Sequence, residues 1–571
     1  MVQNRGFDWT EIEQMSGSRR IEPTHINRTP DRLASVLVGL VCVVTLNGCT
    51  TKKPGPLLPL VSVFTNRTET AGITYKWDEP NRLGPRNIKE TLGRGCAFLD
   101  YNNDGNLDVL LVGPSCALYK GDGRGAFQDV SAETRIRDLI GEYSGCSVAD
   151  SDNDGYSDIY LSGYKTGQLL HNNHGTNFTN VSARSRIPTQ TYGTSSAWAD
   201  IDGDGKVDLY VGNYVTFNAT SLQLCKRGKV MTSCPPGVYK GVPGRLYHNL
   251  GQHVFQDVTV DWKANAVPGK TLGAAFAPLS PKTMFPSLAL ANDEVPGELF
   301  LNTGKVFQSA GQTSGIAFSS VGTPQAGMGL DWGDFDNDGR FDLTVMTFST
   351  ETKPIYHNDG NGLYTDFAAR LGAAHHEVPL VAFGVKWLDI DNDGWLDLLM
   401  TNGHTADNIA ETGSGETYRQ NSVLLRNQKG QQFQRLHSPS LDTSIVGRGL
   451  ATGDYDNDGR VDALIVDNVG KPLLLQNTNG QTGHWIGLKL VGMKSNKDGY
   501  GAVITLQAGD QTLTRHCHSD GSFLSSSDPR VHFGLGNAQS VTSCTVRWPS
   551  GMVQRVKITK VDQYITVVEH P

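Results

Sequence analysis

The stretch Asp389-Ile390-Asp391-Asn392-Asp393-Gly394-Trp395-Leu396-Asp397, which runs directly into the apolar Leu398-Leu399-Met400, is one of six copies of the same acidic loop. The pattern is Asp-x-Asp/Asn-x-Asp-Gly-x-x-Asp, and the other copies start at Asp100, Asp150, Asp200, Asp334 and Asp454. Oxygen-bearing side chains fall at positions one, three, five and nine. They are Asp100, Asn102, Asp104 and Asp108; Asp150, Asp152, Asp154 and Asp158; Asp200, Asp202, Asp204 and Asp208. The later copies supply Asp334, Asp336, Asp338 and Asp342; Asp389, Asp391, Asp393 and Asp397; Asp454, Asp456, Asp458 and Asp462. So many carboxylates within nine residues repel one another unless a hard cation gathers them, and an oxygen-only donor set selects calcium over softer metals. Up to six Ca²⁺ ions are expected. A single such string reads equally well as a solvated acidic turn, but six copies in register do not. Glycine at position six, as in Gly155 and Gly394, supplies the sharp turn that a chain wrapping round an ion needs. An EF-hand would carry Glu at position twelve and helices on both sides, whereas position twelve here is apolar (Leu111, Leu161, Val211, Met400) and the flanks alternate like strands.

The spacing predicts the architecture. The first three loops start 50 residues apart and the last two gaps are 55 and 65, near the range of propeller blades. The gap of 134 residues between Asp200 and Asp334 has room for one more unit. There Gly273-Ala274-Ala275-Phe276 resembles the entry strand of the other copies and Ser287-Leu288-Ala289-Leu290-Ala291-Asn292 the exit strand. The connection between them holds Pro278, Ser280, Pro281 and Lys282 but no carboxylate, so this unit keeps the strands and cannot chelate. After each loop an apolar pair, a Gly/Asn turn and an aromatic residue recur, as in Leu118-Tyr119 to Phe127 and Leu246-Tyr247 to Phe255, which is hairpin chemistry. Seven units of about four strands, closed radially to protect their edges, predict an all-β chain built on a seven-bladed β-propeller. Residues 64–73 resemble the end of a repeat, so the N-terminal strand is expected to complete the last blade.

These loops, flanked by Leu-Tyr-x-Asn-x-Gly and Phe-x-Asp-Val elements, resemble the FG-GAP/VCBS repeats of integrin alpha-chain propellers over residues 64–476. From His484 the chain changes character. Trp485-Ile486-Gly487-Leu488, residues 526–536 and Val546-Arg547-Trp548-Pro549-Ser550-Gly551 resemble the ASPIC/UnbV domain, assigned to 477–571 and expected to be a small β-sandwich-like unit. Propeller plus that domain is the arrangement of the cartilage-acidic-protein-like family. The resemblance implies an exported surface scaffold that binds protein or glycan in adhesion.

Composition agrees with a turn-rich β protein: 65 Gly among 571 residues and 19% charged. The net charge is −8, and six divalent ions would carry it to +4, so the acidity signals no basic partner. No Lys/Arg stripe supports nucleic-acid binding. Residues 33–46 form an apolar run after Arg28 and Arg32, and Leu46-Asn47-Gly48-Cys49 resembles a bacterial lipobox with Cys49 as the acylated residue. Residues 1–48 are therefore expected to be a leader and 49–63 a linker. The membrane contact would be a lipid anchor or an uncleaved signal anchor, and the body would be exported as a periplasmic, outer-membrane, surface or secreted protein. In an oxidising compartment, Cys225 and Cys234 are expected to pair, with Cys517 and Cys544 as a second pair. Cys96, Cys116 and Cys146 are left unassigned.

No nucleophile elbow, P-loop or zinc-protease motif is present. The alternative is an enzyme or cofactor protein with a site at the propeller channel. Its candidate residues are His404 in the turn Asn402-Gly403-His404, together with His375, His376 and Glu377. They would need to meet another titratable group at hydrogen-bond distance.

Overall fold

The computed structural model describes residues 62–571 except 78–83, 219–222, 266, 281–283, 374–378 and 481. The expectations for the leader, Cys49 and most of the linker lie outside the described residues, as do Pro281, Lys282, His375, His376 and Glu377.

Between Phe64 and Asn477 the described chain folds into seven four-stranded antiparallel sheets, numbered here 1 to 7 along the chain. Their first strands are Cys96–Leu99, Glu142–Ala149, Gly193–Ala199, Thr271–Ala277, Leu330–Gly333, Ala382–Leu388 and Gly447–Gly453. Each first strand contacts the first strand of the next sheet, and Gly447–Gly453 contacts Cys96–Leu99. Such close approach demands small residues. A Cβ on Gly384 would stand 2.7 Å from the Arg448 carbonyl oxygen, and one on Gly329 only 2.1 Å from that of Phe383. Successive strands move outward, and the fourth strands are short, with one buried aromatic and exposed neighbours, as in Phe127–Asp129 and Phe255–Asp257. Sheet 4 is the unit without an acidic loop: Thr271–Ala277 pairs with Ser287–Asn292, and Glu298–Asn302 and Phe307–Ser309 complete it. In sheet 7 the fourth strand is N-terminal, with Phe64 opposite Asn477 and Asn66 opposite Leu475.

The C-terminal region forms a three-stranded sheet around His484–Val491 and a four-stranded sheet around Val503–Ala508. It is not set apart from the repeats. One hydrophobic cluster runs from Trp198, Leu209 and Tyr247 into Ile486, Phe533 and Trp548. The segment 519–528 reaches further, hydrogen-bonding the first strand of every one of the seven sheets. The Ser526 oxygen accepts from Phe98 and the Leu524 oxygen from Cys146; the Ser195 hydroxyl accepts from Leu524, and Asp520 Oδ2 from Phe276. Ser522 exchanges main-chain bonds with Leu330 and accepts at its hydroxyl from Val385, and the Ser527 hydroxyl accepts from Thr452. Ser522 and Leu524 both have left-handed backbone, φ 57° and 56°. A leucine rarely adopts that conformation, and here complete burial holds it.

Cys225 and Cys234 form a disulfide across the hairpin Leu224–Arg227 and Val230–Ser233. The expected Cys517–Cys544 pair is absent: both thiols are free and buried, as are Cys96, Cys116 and Cys146. Cys517 lies where the chain turns toward the seven sheets and Cys544 within Ser543–Arg547, so domain membership alone does not bring the two together. Among the described residues no helix is long and apolar enough to cross a membrane.

Candidate metal centres

Every acidic loop joins the first and second strands of its sheet, and its position-nine aspartate opens the second strand: Asp108, Asp158, Asp208, Asp342, Asp397 and Asp462. The loops share one hydrogen-bond scheme. Both oxygens of the position-one carboxylate accept main-chain N–H groups from positions five and six, as when Asp389 accepts from Asp393 at 2.9 Å and Gly394 at 2.7 Å. The position-five carboxylate accepts from position seven, Asp393 from Trp395 at 3.0 Å. The position-nine carboxylate is a strap. Asp397 accepts from Ile390 at 2.9 Å and from Asn427 on the third strand at 2.7 Å, and is 1% exposed. The position-six glycines lie at φ between 83° and 94°, as the turn requires.

Position three is different. Asp336 Oδ1, Asp391 Oδ1 and Asp456 Oδ1 are buried and have no hydrogen-bond partner. An unpaired buried carboxylate oxygen is costly, and three stand here in equivalent places, where a cation would satisfy them. In the loops starting at Asp150 and Asp200, ligand oxygens of positions one, three and five lie within 4.8 Å of one another. Electrostatics agree. Burial, with neighbouring carboxylates second, pushes Asp150 up to about 9 and Asp389 to about 8. Asp200, Asp334 and Asp454 rise to about 7, and Asp462 and Asp397 well above the usual range. A hard divalent cation relieves both the desolvation and the repulsion. The donors present fit such an ion.

Two columns of residues that the repeat reading passed over complete the site. At position four stand Asn103, Asn153, Gly203, Asn337, Asn392 and Asn457. All have left-handed backbone. Four of the asparagines donate to the position-six carbonyl of the next loop: Asn103 to Gly155 at 2.6 Å, Asn153 to Gly205 at 2.9 Å, Asn337 to Gly394 at 3.1 Å and Asn392 to Gly459 at 2.9 Å. Asn457 reaches Asn106 of the first loop at 3.4 Å. Gly203, the exception, precedes the sheet that has no loop. The second column lies on the third strands and faces the acids: Lys120, His171, His248, His357, Arg426 and Gln476 contact Asp104, Asp152, Asp202, Asp336, Asp391 and Asp456. In sheet 4 the same register holds Leu301. The polar column follows the carboxylates. Both columns were open to a reader aligning the repeats position by position.

The C-terminal region covers the loop-bearing end. Lys489 Nζ lies 3.5 Å from Asp100, Asp498 accepts from the Asp150 amide at 2.7 Å, and Arg515 donates to the Gly394 oxygen at 3.2 Å. Arg530 donates to the Asp454 oxygen at 2.7 Å and Tyr564 to its carboxylate at 2.9 Å.

His404, the residue proposed for catalysis, is completely buried. Its Nδ1 accepts from the Ala406 amide at 2.9 Å, its Nε2 stands 3.8 Å from Glu416, and burial drives it down to about 4. Among the described residues its Nε2 therefore makes no hydrogen bond to a titratable partner. A cavity of about 180 Å³ does open near it, lined by Tyr214, Asp293, Glu351, Phe348 and Thr405 at the end of the sheets opposite the loops.

The FG-GAP-like repeat family matches residues 100–161 and 150–211, and the ASPIC and UnbV family matches 492–571. Over 497 residues the chain is 22% identical to Cartilage acidic protein 1 of Xenopus tropicalis, covering 81% of this chain and 71% of that one. The human Cartilage acidic protein 1 is likewise 22% identical over 495 residues, 81% of this chain and 70% of its own. A solved structure of an Agrocybe aegerita protein that recognises non-reducing terminal N-acetylglucosamine aligns at TM-score 0.39 and 14% identity, covering 66% of this chain and 86% of that one.

Proposed function

We propose that this chain is an exported, calcium-braced display scaffold: a seven-bladed propeller whose six acidic loops each hold one Ca²⁺ and whose C-terminal domain plugs the axis. The observation that carries the reading is the set of buried position-three oxygens without partners at Asp336, Asp391 and Asp456. Contact between the first strands of sheets 7 and 1, and the N-terminal strand seated in sheet 7, support a closed ring. With the axis filled by residues 519–528 and the loop-bearing end covered, partner binding falls to the opposite end, around the cavity at Tyr214, Asp293 and Glu351. There an extracellular protein or glycan would dock, in line with similarity to Cartilage acidic protein 1. Catalysis forms no part of the proposal.

Saturating a weak extracellular-type calcium site contributes about 1 kcal/mol. Six sites give ~6 kcal/mol, and at an unfolding entropy of about 2.1 cal/mol/K per residue over roughly 500 residues that amounts to about 6 °C. Thermal melts with calcium and with excess chelator are the test. A reversible drop of several degrees is expected on chelation; identical curves, together with no calcium in metal analysis of the calcium-equilibrated protein, would overturn the reading.

A further inference from the structure

We propose a second kind of metal centre beside the loop that starts at Asp150: Asp152, His171 and His253 form a site for a divalent first-row transition cation, Zn²⁺ being the natural probe. The three residues come from separate elements. Asp152 lies in the acidic loop, His171 on Thr166–Asn172 of sheet 2, and His253 in the turn between Arg245–Asn249 and Phe255–Asp257 of sheet 3. Asp152 Oδ2 is 3.1 Å from His253 Nε2 and 3.6 Å from His171 Nδ1, and the imidazole centroids are 4.4 Å apart. With zinc bonds of about 2.0–2.2 Å to nitrogen and oxygen, ligand atoms round a tetrahedral ion stand roughly 3.3–3.4 Å apart, and the two observed separations bracket that value.

The donor set is the second argument. Two imidazoles and one carboxylate suit a borderline cation, whereas the neighbouring loops offer all-oxygen groups that suit calcium. Corresponding corners hold only one imidazole each, His248 with Asp202 and Asp208, and His357 with Asp336 and Asp338. Those corners are internal controls. His253 is 6% exposed, and its Nδ1 is buried without a partner, so no second hydrogen bond fixes the ring. His171 Nδ1 also lies 3.2 Å from Asp158 Oδ1, a hydrogen bond that a metal would replace. Asp152 would bridge, with one oxygen toward the loop ion and Oδ2 toward the transition cation.

The test is a titration of the calcium-saturated full chain with Zn²⁺ by calorimetry and with Co²⁺ by visible absorption, with calcium measured in the same samples. One equivalent is expected, with the intense visible bands of four-coordinate cobalt. His253→Asn, which tolerates left-handed backbone, should weaken Zn²⁺ at least about tenfold, as loss of metal-site support does, and should leave calcium content unchanged. If His253→Asn does not fold, His171→Gln should weaken Zn²⁺ uptake to the same degree. Absence of Zn²⁺ uptake by the wild type, or equal uptake by a folded His253→Asn or His171→Gln variant, refutes the site. Calcium content reports separately on the acidic loops.

Discussion

Replacing Lys386 by Met is the sharpest probe of how the C-terminal segment is tied to the seven sheets. Lys386 Nζ lies 2.8 Å from Asp331 Oδ1 and donates to the Asp520 carbonyl at 3.1 Å, while Asp331 Oδ2 accepts from the Trp387 amide at 2.9 Å. The pair joins sheets 5 and 6 to the plug, and its residues are only 4% and 1% exposed. Lys386→Met leaves Asp331 charged, buried and without its counter-ion, and removes the donor from Asp520. Breaking a buried pair on one side costs about 3–5 kcal/mol. With an unfolding entropy of about 1 kcal/mol/K for a chain of this size, that is a loss of roughly 3–5 °C in Tm. Differential scanning calorimetry measures it, and Lys386→Met/Asp331→Asn supplies the cycle. Asn at 331 keeps an acceptor for Trp387 and carries no charge, so the double variant should recover at least half of the loss. A single variant within a degree of wild type, or a double variant as unstable as the single, would refute the assignment of the pair as a tie between sheets 5 and 6 and segment 519–528.

Calcium stabilisation should depend on pH in a definite direction. Asp150 and Asp389, at about 9 and 8, have folded-state values above their unfolded ones, so the stability their protonated forms contribute is fully present below about pH 4 and is lost progressively as pH rises from there through about 8–9. The Tm of chelated protein should therefore fall from pH 5 to 9 while calcium-saturated protein changes less; a calcium-induced gain that shrinks with pH would contradict this. Asn392→Ala removes the bond to Gly459 and places a Cβ-bearing residue without amide help at φ 56°, for a cost of about 2 kcal/mol. Asn392→Gly should cost about half as much, since only the bond is lost, and urea melts of the two variants separate the contributions. Gly394→Ala is expected to empty one site by calorimetry, because φ is 90° and the new Cβ would sit 2.4 Å from Gln511 Oε1. An undiminished calcium count in that variant would show that the loop tolerates a wider turn.

Much of this molecule is local chemistry repeated. The acidic pattern, the glycine at its sixth position and the apolar run after its ninth determine a turn and a strand within a dozen residues. Each copy could therefore be read alone, and the missing copy could be inferred from Gly273–Phe276 and Ser287–Asn292. The Cys225–Cys234 hairpin is legible for the same reason, its partners being 9 residues apart. Other features depend on closure of the chain over long separations. Ser522, Leu524 and Ser526 carry no signature of a plug, because they bond mostly through main-chain groups that every residue possesses, to partners far away in the chain. The absent Cys517–Cys544 bond, the burial of His404 and the meeting of His171 with His253 have the same cause. Residue type sets what a side chain can do, but packing of one sheet against the next sets what stands within 4 Å of it.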